Sequence, residues 1–179
     1  MLPACKLGKR NMAENDKALW SNNKTNLIVI RSNGNSGKTT TIWMLLYELV
    51  NRGAKIISLC YLDKTPFTLP ATLPPANKRY DFIAELEWFK LRIVLFSQGD
   101  TPYAVEPRLD AIIATKPDYI VCASRSQRRT NSTWKLFETK YTNIHFRRVC
   151  FWSEYSTHQK DQLIVKEPTI EAIVKYIKP

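Results

Sequence analysis

The sequence predicts an α/β fold with a mostly parallel sheet covered by helices on both faces. Three observations carry that expectation. Short apolar runs at 26–31, 56–61, 91–96 and 119–123 recur along the chain, each bounded by polar or turn-forming residues. Segments with helical spacing lie between them, so strand, helix and strand alternate as parallel crossover units require. A polar loop carrying Gly37-Lys38-Thr39 joins the first apolar run to the first helical segment.

Bulk properties bound the reading. At 179 residues the chain suits one domain with a substantial core rather than two. Residues 1–24 are polar and read as a flexible N-terminal arm, an upstream-start extension before Met12 or a short basic targeting sequence; the domain is then 25–179. No run approaches the roughly 18 apolar residues of a membrane span, and residues 1–11 lack the apolar centre of a secretory signal. Cys5, Cys60, Cys122 and Cys150 form no Cys-x-x-Cys pair, and His145 and His158 complete no metal spacing. Cys60, Cys122 and Cys150 sit in apolar runs and read as buried reduced thiols, which implies a cytoplasmic compartment. A net charge of +11 favours phosphate-rich partners, although the scattered lysines read as solvated surface.

The first unit is the most informative. Residues 26–31 form a buried strand, 32–40 a small polar loop, and 41–53 a helix closed by Gly53. That order suits an anion-binding loop, because the turn aims backbone N–H groups inward and the helix N-terminus adds free donors and a positive dipole end. Gly34, Asn35, Ser36, Gly37, Lys38, Thr39 and Thr40 are the binding candidates. Residues 26–63 resemble the first strand–loop–helix–strand unit of the P-loop NTPase superfamily, and Asn35-Ser36-Gly37-Lys38-Thr39-Thr40 matches the end of its Walker A motif. Ser32 departs from the small Gly or Ala expected there, and Gly34 supplies the turn instead. The resemblance implies a three-layer α/β/α P-loop NTPase-type domain binding ATP, or another nucleoside triphosphate, with Mg²⁺. Lys38 then reaches the outer phosphates and the Thr39 hydroxyl ligates the metal.

Residues 56–61 make the second strand, and Asp63 ends it on the edge where ligands of open α/β sheets gather. Asp63 either serves a Mg²⁺-bound water or an acceptor hydroxyl, or simply forms the turn. Residues 64–79, with Pro66, Pro70, Pro74 and Pro75, form a stiff irregular loop, either a substrate lid or an ornament. Phe82, Leu86 and Phe89 fall on one stripe, so 80–90 reads as a helix packed on the sheet. Residues 91–96 form the third strand. Where a Walker B strand would end in a carboxylate this chain has Ser97, with Gly99 and Asp100 following. Asp100 is preferred over Asp63 as the metal-linked carboxylate, and Ser97 is an alternative ligand for a metal-bound water.

A helix over 104–115, with Pro107 in its first turn, leads to the fourth strand at 119–123. Residues 124–133 are polar and basic, and Arg125 is the first candidate to neutralise a transferring phosphoryl group. Arg128 and Arg129 are lid candidates or a surface pair. A helix at 132–140, a strand-like run at 144–152, a short strand at 163–165 and a helix opened by Pro168 complete the chain.

Two function classes follow. One is a Mg²⁺-dependent phosphotransferase of the small-molecule or nucleotide kinase type, with Lys38, Arg125, Asp100 and Asp63 as its catalytic set, Thr39 and Asp100 at the metal, and an unidentified small phosphate acceptor. The other is a nucleotide-dependent ATPase or switch serving a protein or nucleic-acid partner. GTPases are disfavoured because no Asn-Lys-x-Asp motif follows a strand, and dimerising ATPases because Asn33 stands where their second loop lysine would be. The first unit is also similar to nucleotide-binding proteins of cofactor biosynthesis, including those of molybdopterin guanine dinucleotide assembly. No helix-turn-helix, zinc or RNA-recognition signature supports direct nucleic-acid binding.

Overall fold

The strands are β1 (Thr25–Ser32), β2 (Lys55–Tyr61), β3 (Phe82–Trp88), β4 (Leu91–Phe96), β5 (Tyr119–Arg125) and β6 (Phe146–Trp152). The helices are α1 (Lys38–Asn51), α2 (Pro102–Ile113), α3 (Thr133–Thr139) and α4 (Glu167–Ile177). They come from a computed structural model that describes residues 25–32, 37–125, 132–141, 146–152 and 164–177, with backbone alone for 146–149 and 152. All six strands join one sheet in the order β2-β3-β4-β5-β1-β6. Every pairing is parallel except those of β3, which runs antiparallel to both β2 and β4.

Alternation along each strand sorts side chains to opposite faces. Ile28 and Ile30 of β1, Ile93 and Leu95 of β4, and Val121 and Ala123 of β5 pack in one core with α1 and α4. Their neighbours Leu27, Val29, Val94, Phe96, Ile120 and Cys122 pack in a second core with Val105, Leu109 and Phe137 of α2 and α3. A sheet covered on both faces needs apolar residues at consecutive positions, which is why these strands read as unbroken hydrophobic runs. Gly53 ends α1 as expected, at φ 93° with its N–H donating to the Val50 carbonyl. No helix among the described residues is long and apolar enough to cross a membrane.

Four expectations need correction. The segment 80–90 is not a helix: β3 and β4 form a hairpin closed by Phe89 and Lys90, both at positive φ (51° and 65°). The alternation Phe82-x-Ala84-x-Leu86-x-Trp88, buried on one side, competes with the helical stripe and wins because β2 and β4 supply partners on both edges. The helix α2 begins at Pro102 rather than 104, which leaves Pro107 inside it; the Tyr103 carbonyl thus loses its usual partner, at a residue 91% exposed. Residues 164–166 form a 3-10 turn, not a strand. Cys60 and Cys122 are buried free thiols, but Cys150 is exposed on β6, the last strand of the sheet.

The proline-rich segment is strapped to α1 rather than poised above the sheet edge. Phe67 stacks on Tyr61 and packs against Trp43, with ring centroids 4.1 and 5.7 Å apart. The Tyr47 hydroxyl lies 2.8 Å from the carbonyls of both Pro70 and Thr72. Arg79 donates to the Pro74 carbonyl and to Thr40 Oγ1, tying the strap to the first turn of α1.

The hairpin turn generates a stability prediction. Two non-glycine residues at positive φ are strained, and Asn-Gly is the pair such turns prefer. Replacing Phe89-Lys90 by Asn-Gly is expected to raise the unfolding free energy by about 1 kcal/mol. Urea denaturation of the two chains measures the difference.

Candidate functional site

The parallel strands β1, β4 and β5 end on one edge, and antiparallel β3 begins there. That edge carries a pocket of about 240 Å³ lined by Gly37, Lys38, Thr39, Asp81, Ser97, Gly99 and Asp100. Gly37 caps α1 in the left-handed region at φ 75°, a conformation that favours glycine, and its carbonyl accepts from the Thr41 N–H at 2.9 Å. Lys38 opens the helix and is 6% exposed. Burial lowers its pKa below the ordinary lysine value; Asp100 offsets part of this, Arg125 adds to it, and Asp81 again offsets it. Two carboxylates and a guanidinium therefore lie within electrostatic reach of one buried ammonium.

Asp81 is the residue that sequence reasoning missed. Its Oδ1 accepts from the Thr39 hydroxyl at 2.9 Å and from the Ser97 hydroxyl at 3.0 Å. Ser97 is fixed in turn, because its Oγ accepts from the Phe82 N–H at 2.8 Å and its own N–H donates to the Phe82 carbonyl at 3.1 Å. This hydroxyl–carboxylate–hydroxyl bridge ties the first turn of α1 to the paired ends of β3 and β4. Asp81, not Asp100, thus holds the threonine expected at the metal. Reading 82–88 as a strand would have put its first residues on the ligand edge; the helical reading hid that.

Asp100 reaches the same pocket by a different device. Strand β5 lies between β1 and β4, so the chain leaving β4 must cross β5 to approach Lys38. Gly99 makes the crossing: a Cβ there would sit 2.6 to 2.7 Å from the Ala123 backbone carbonyl and side chain, so only glycine fits. The Gly99 carbonyl accepts from the Arg125 N–H at 3.1 Å and from the Thr133 hydroxyl at 2.7 Å, and Thr133 Oγ1 also accepts from the Arg125 N–H at 2.8 Å. The Arg125 side chain is consequently fixed at its base, and its Nε is buried without a hydrogen-bond partner. A buried, unsatisfied guanidinium nitrogen costs free energy unless an acceptor arrives.

Asp63 is elsewhere. It is exposed and accepts from the Thr65 N–H at 2.9 Å, which holds its carboxyl below the usual range, and it serves the turn after β2 rather than the pocket. None of the proline-rich strap lines the pocket. Gly34, Asn35 and Ser36, the lid candidates Arg128 and Arg129, and His145 lie outside the described residues. Of the expected binding residues, Gly37 through Thr40 are described, with Gly37, Lys38 and Thr39 at the pocket and Thr40 turned to Arg79.

The pocket's donors suit a metal-bound polyphosphate: a buried ammonium and a threonine hydroxyl backed by a carboxylate. Arg125 acts on Lys38 electrostatically but is not among the residues that line the pocket. No family model matches the chain, and no curated protein or solved structure is significantly similar to it.

Gly99→Ala is expected to cost about 1–3 kcal/mol in a denaturant titration, because the added methyl must displace the Ala123 backbone. For Lys38, the unfolded chain keeps the ordinary pKa and so holds more protons than the folded one between the two values. Stability attributable to this group therefore rises with pH through that window, and the cost is fully present below it. Lys38→Met is expected to raise the melting temperature at neutral pH and to flatten the alkaline rise, as scanning calorimetry across pH 7 to about 11 would record.

Proposed function

We propose that this chain is a P-loop protein of three-layer α/β/α type that binds a nucleoside triphosphate, ATP in the first instance, and transfers its terminal phosphoryl group to a small acceptor. The observation that carries the reading is the pairing of Thr39 with Asp81 beside Lys38, with a second carboxylate, Asp100, in the same pocket. One carboxylate engaged with the threonine and another free of that bond support a division of labour. Asp81 and Thr39 would hold Mg²⁺, directly or through its water. Bound there, Mg²⁺ would neutralise charge on the phosphates and orient them.

Lys38 would hold the outer phosphates, its ammonium already stripped of most water and so strongly attracted to oxygen anions. Arg125 Nε would find its acceptor in a phosphate oxygen. Asp100 would receive the acceptor hydroxyl's proton, as a carboxylate at hydrogen-bond reach of the nucleophile does in phosphoryl transfer. Gly99, Ser97 and Thr133 would position these groups. Catalysis of this kind is positioning and electrostatics.

Calorimetric titration with Mg²⁺–ATP tests the binding half, and ADP release with a panel of nucleosides, nucleotides and cofactor precursors tests the transfer half. Binding is expected to be lost in Lys38→Ala and to lose its Mg²⁺ dependence in Asp81→Asn. Asp100→Asn is expected to bind ATP normally while acceptor-dependent turnover falls by about 100- to 10,000-fold. Turnover that responds to a macromolecule and to no small acceptor would replace the transferase with an ATPase or switch. Absence of any triphosphate binding would end both.

A further inference from the structure

Two residues of α1, one turn apart, grip consecutive residues of the segment that leads into β3. Thr39 donates to Asp81 Oδ1 at 2.9 Å, and the Trp43 indole N–H donates to the Tyr80 carbonyl at 3.1 Å. Positions i and i+4 share a helix face, so both donors reach the same way. Tyr80 and Asp81 precede β3 and lie outside its ladders, whose first pairs are Phe82 with Tyr61 and Ile83 with Phe96. Side chains, rather than sheet pairing, therefore fix where Asp81 meets the pocket.

The two grips differ in kind. The hydroxyls of Thr39 and Ser97 are rotors and can turn toward another partner. The indole cannot: Trp43 is 1% exposed, and its ring packs against Phe82 and Phe67 with centroids 4.6 and 5.7 Å away. A buried indole N–H needs an acceptor, and this one finds it in the backbone one residue from the carboxylate. A single contact would leave the segment free to pivot about the Asp81 side chain. A second, one helical turn away and roughly 5.4 Å along the axis, removes that freedom.

We propose that Trp43 is a positioning residue of the candidate site. Its N–H holds the backbone at Tyr80 so that Asp81 and the Thr39 hydroxyl face one metal ion together, and this sets the site's affinity for Mg²⁺. The inference rests on the nucleotide reading and on the metal role given there to Asp81 and Thr39. Trp43 is not among the residues that line the pocket, so its effect passes through Asp81 and shows only when the metal is present.

Calorimetric titration of the full chain with ATP, across a Mg²⁺ series and in EDTA, provides the test. Trp43→Phe removes the N–H. Replacing Trp43 by β-(3-benzothienyl)alanine removes it while keeping the ring shape, and serves if the phenylalanine variant fails to fold. The Mg²⁺ concentration for half-maximal ATP binding is expected to rise about three- to tenfold, the equivalent of one hydrogen bond, while ATP affinity in EDTA stays the same. In the Asp81→Asn background the same replacement is expected to leave ATP affinity at a fixed Mg²⁺ concentration unchanged. An unshifted Mg²⁺ requirement overturns the assignment and leaves the nucleotide reading standing. An equal loss in EDTA, or a further loss in the Asp81→Asn background, also overturns it, since either marks a distorted helix rather than a displaced carboxylate. If the unmodified chain binds no ATP, the nucleotide reading fails and this inference fails with it.

Discussion

The buried ammonium of Lys38 is the constraint on which the rest of the site depends. Removing such a charge from water costs several kcal/mol unless nearby groups compensate. Asp100 and Asp81 compensate in part, while Arg125 works against them. Two carboxylates and one guanidinium thus act on a single buried ammonium. An anion entering the pocket, as proposed, would meet a lysine that already carries the cost of desolvation. A lysine held charged at that cost lowers stability, and a ligand that paired with it would recover part of the deficit.

Two backbone devices gather these charges. An antiparallel strand in a parallel sheet begins where its neighbours end, so β3 starts at the ligand edge and brings Asp81 to Thr39. A glycine lying directly on a neighbouring strand lets the chain leaving β4 cross β5 without lifting away, and Asp100 follows it. Neither carboxylate stands on β5, the strand beside β1. Both are imported, one by reversing a strand and one by removing a side chain. The hydroxyls of Ser97 and Thr133 then fix the imported segments by hydrogen bonds to backbone groups.

The sequence made the parallel part of the architecture legible, because buried parallel strands announce themselves as apolar runs. The strands at 91–96 and 119–123, the cap at Gly53 and the cluster of Lys38, Thr39, Asp100 and Arg125 could all be read from local pattern. What could not be read depends on pairing at a distance. Phe82, Leu86 and Phe89 suit a helix stripe, and Phe82, Ala84, Leu86 and Trp88 suit a strand face; the choice is made by β2 and β4 on either side, not by the residues themselves. Asp81 was lost with that choice. The contact of Lys166 with Gly37 was invisible for a similar reason: 129 positions separate them, and only the packing of α4 on α1 brings them together. The exposure of Cys150 likewise follows from where β6 joins the sheet rather than from the apolar run around it.

The first turn of α1 is held from three directions before any ligand is considered. Asp81 takes the Thr39 hydroxyl, Arg79 donates to Thr40, and Lys166 abuts Gly37. These anchors come from the sheet, from the proline-rich strap and from the C-terminal segment, so the turn lies at the meeting point of parts distant in sequence. For the proposed ligand, a turn fixed in this way would lose little conformational freedom on binding. The same convergence explains why the strap can be long without serving as a lid. Its prolines and its contacts with Trp43 and Tyr47 stiffen the path by which Arg79 reaches Thr40, which makes the segment a brace for the helix that carries the lysine.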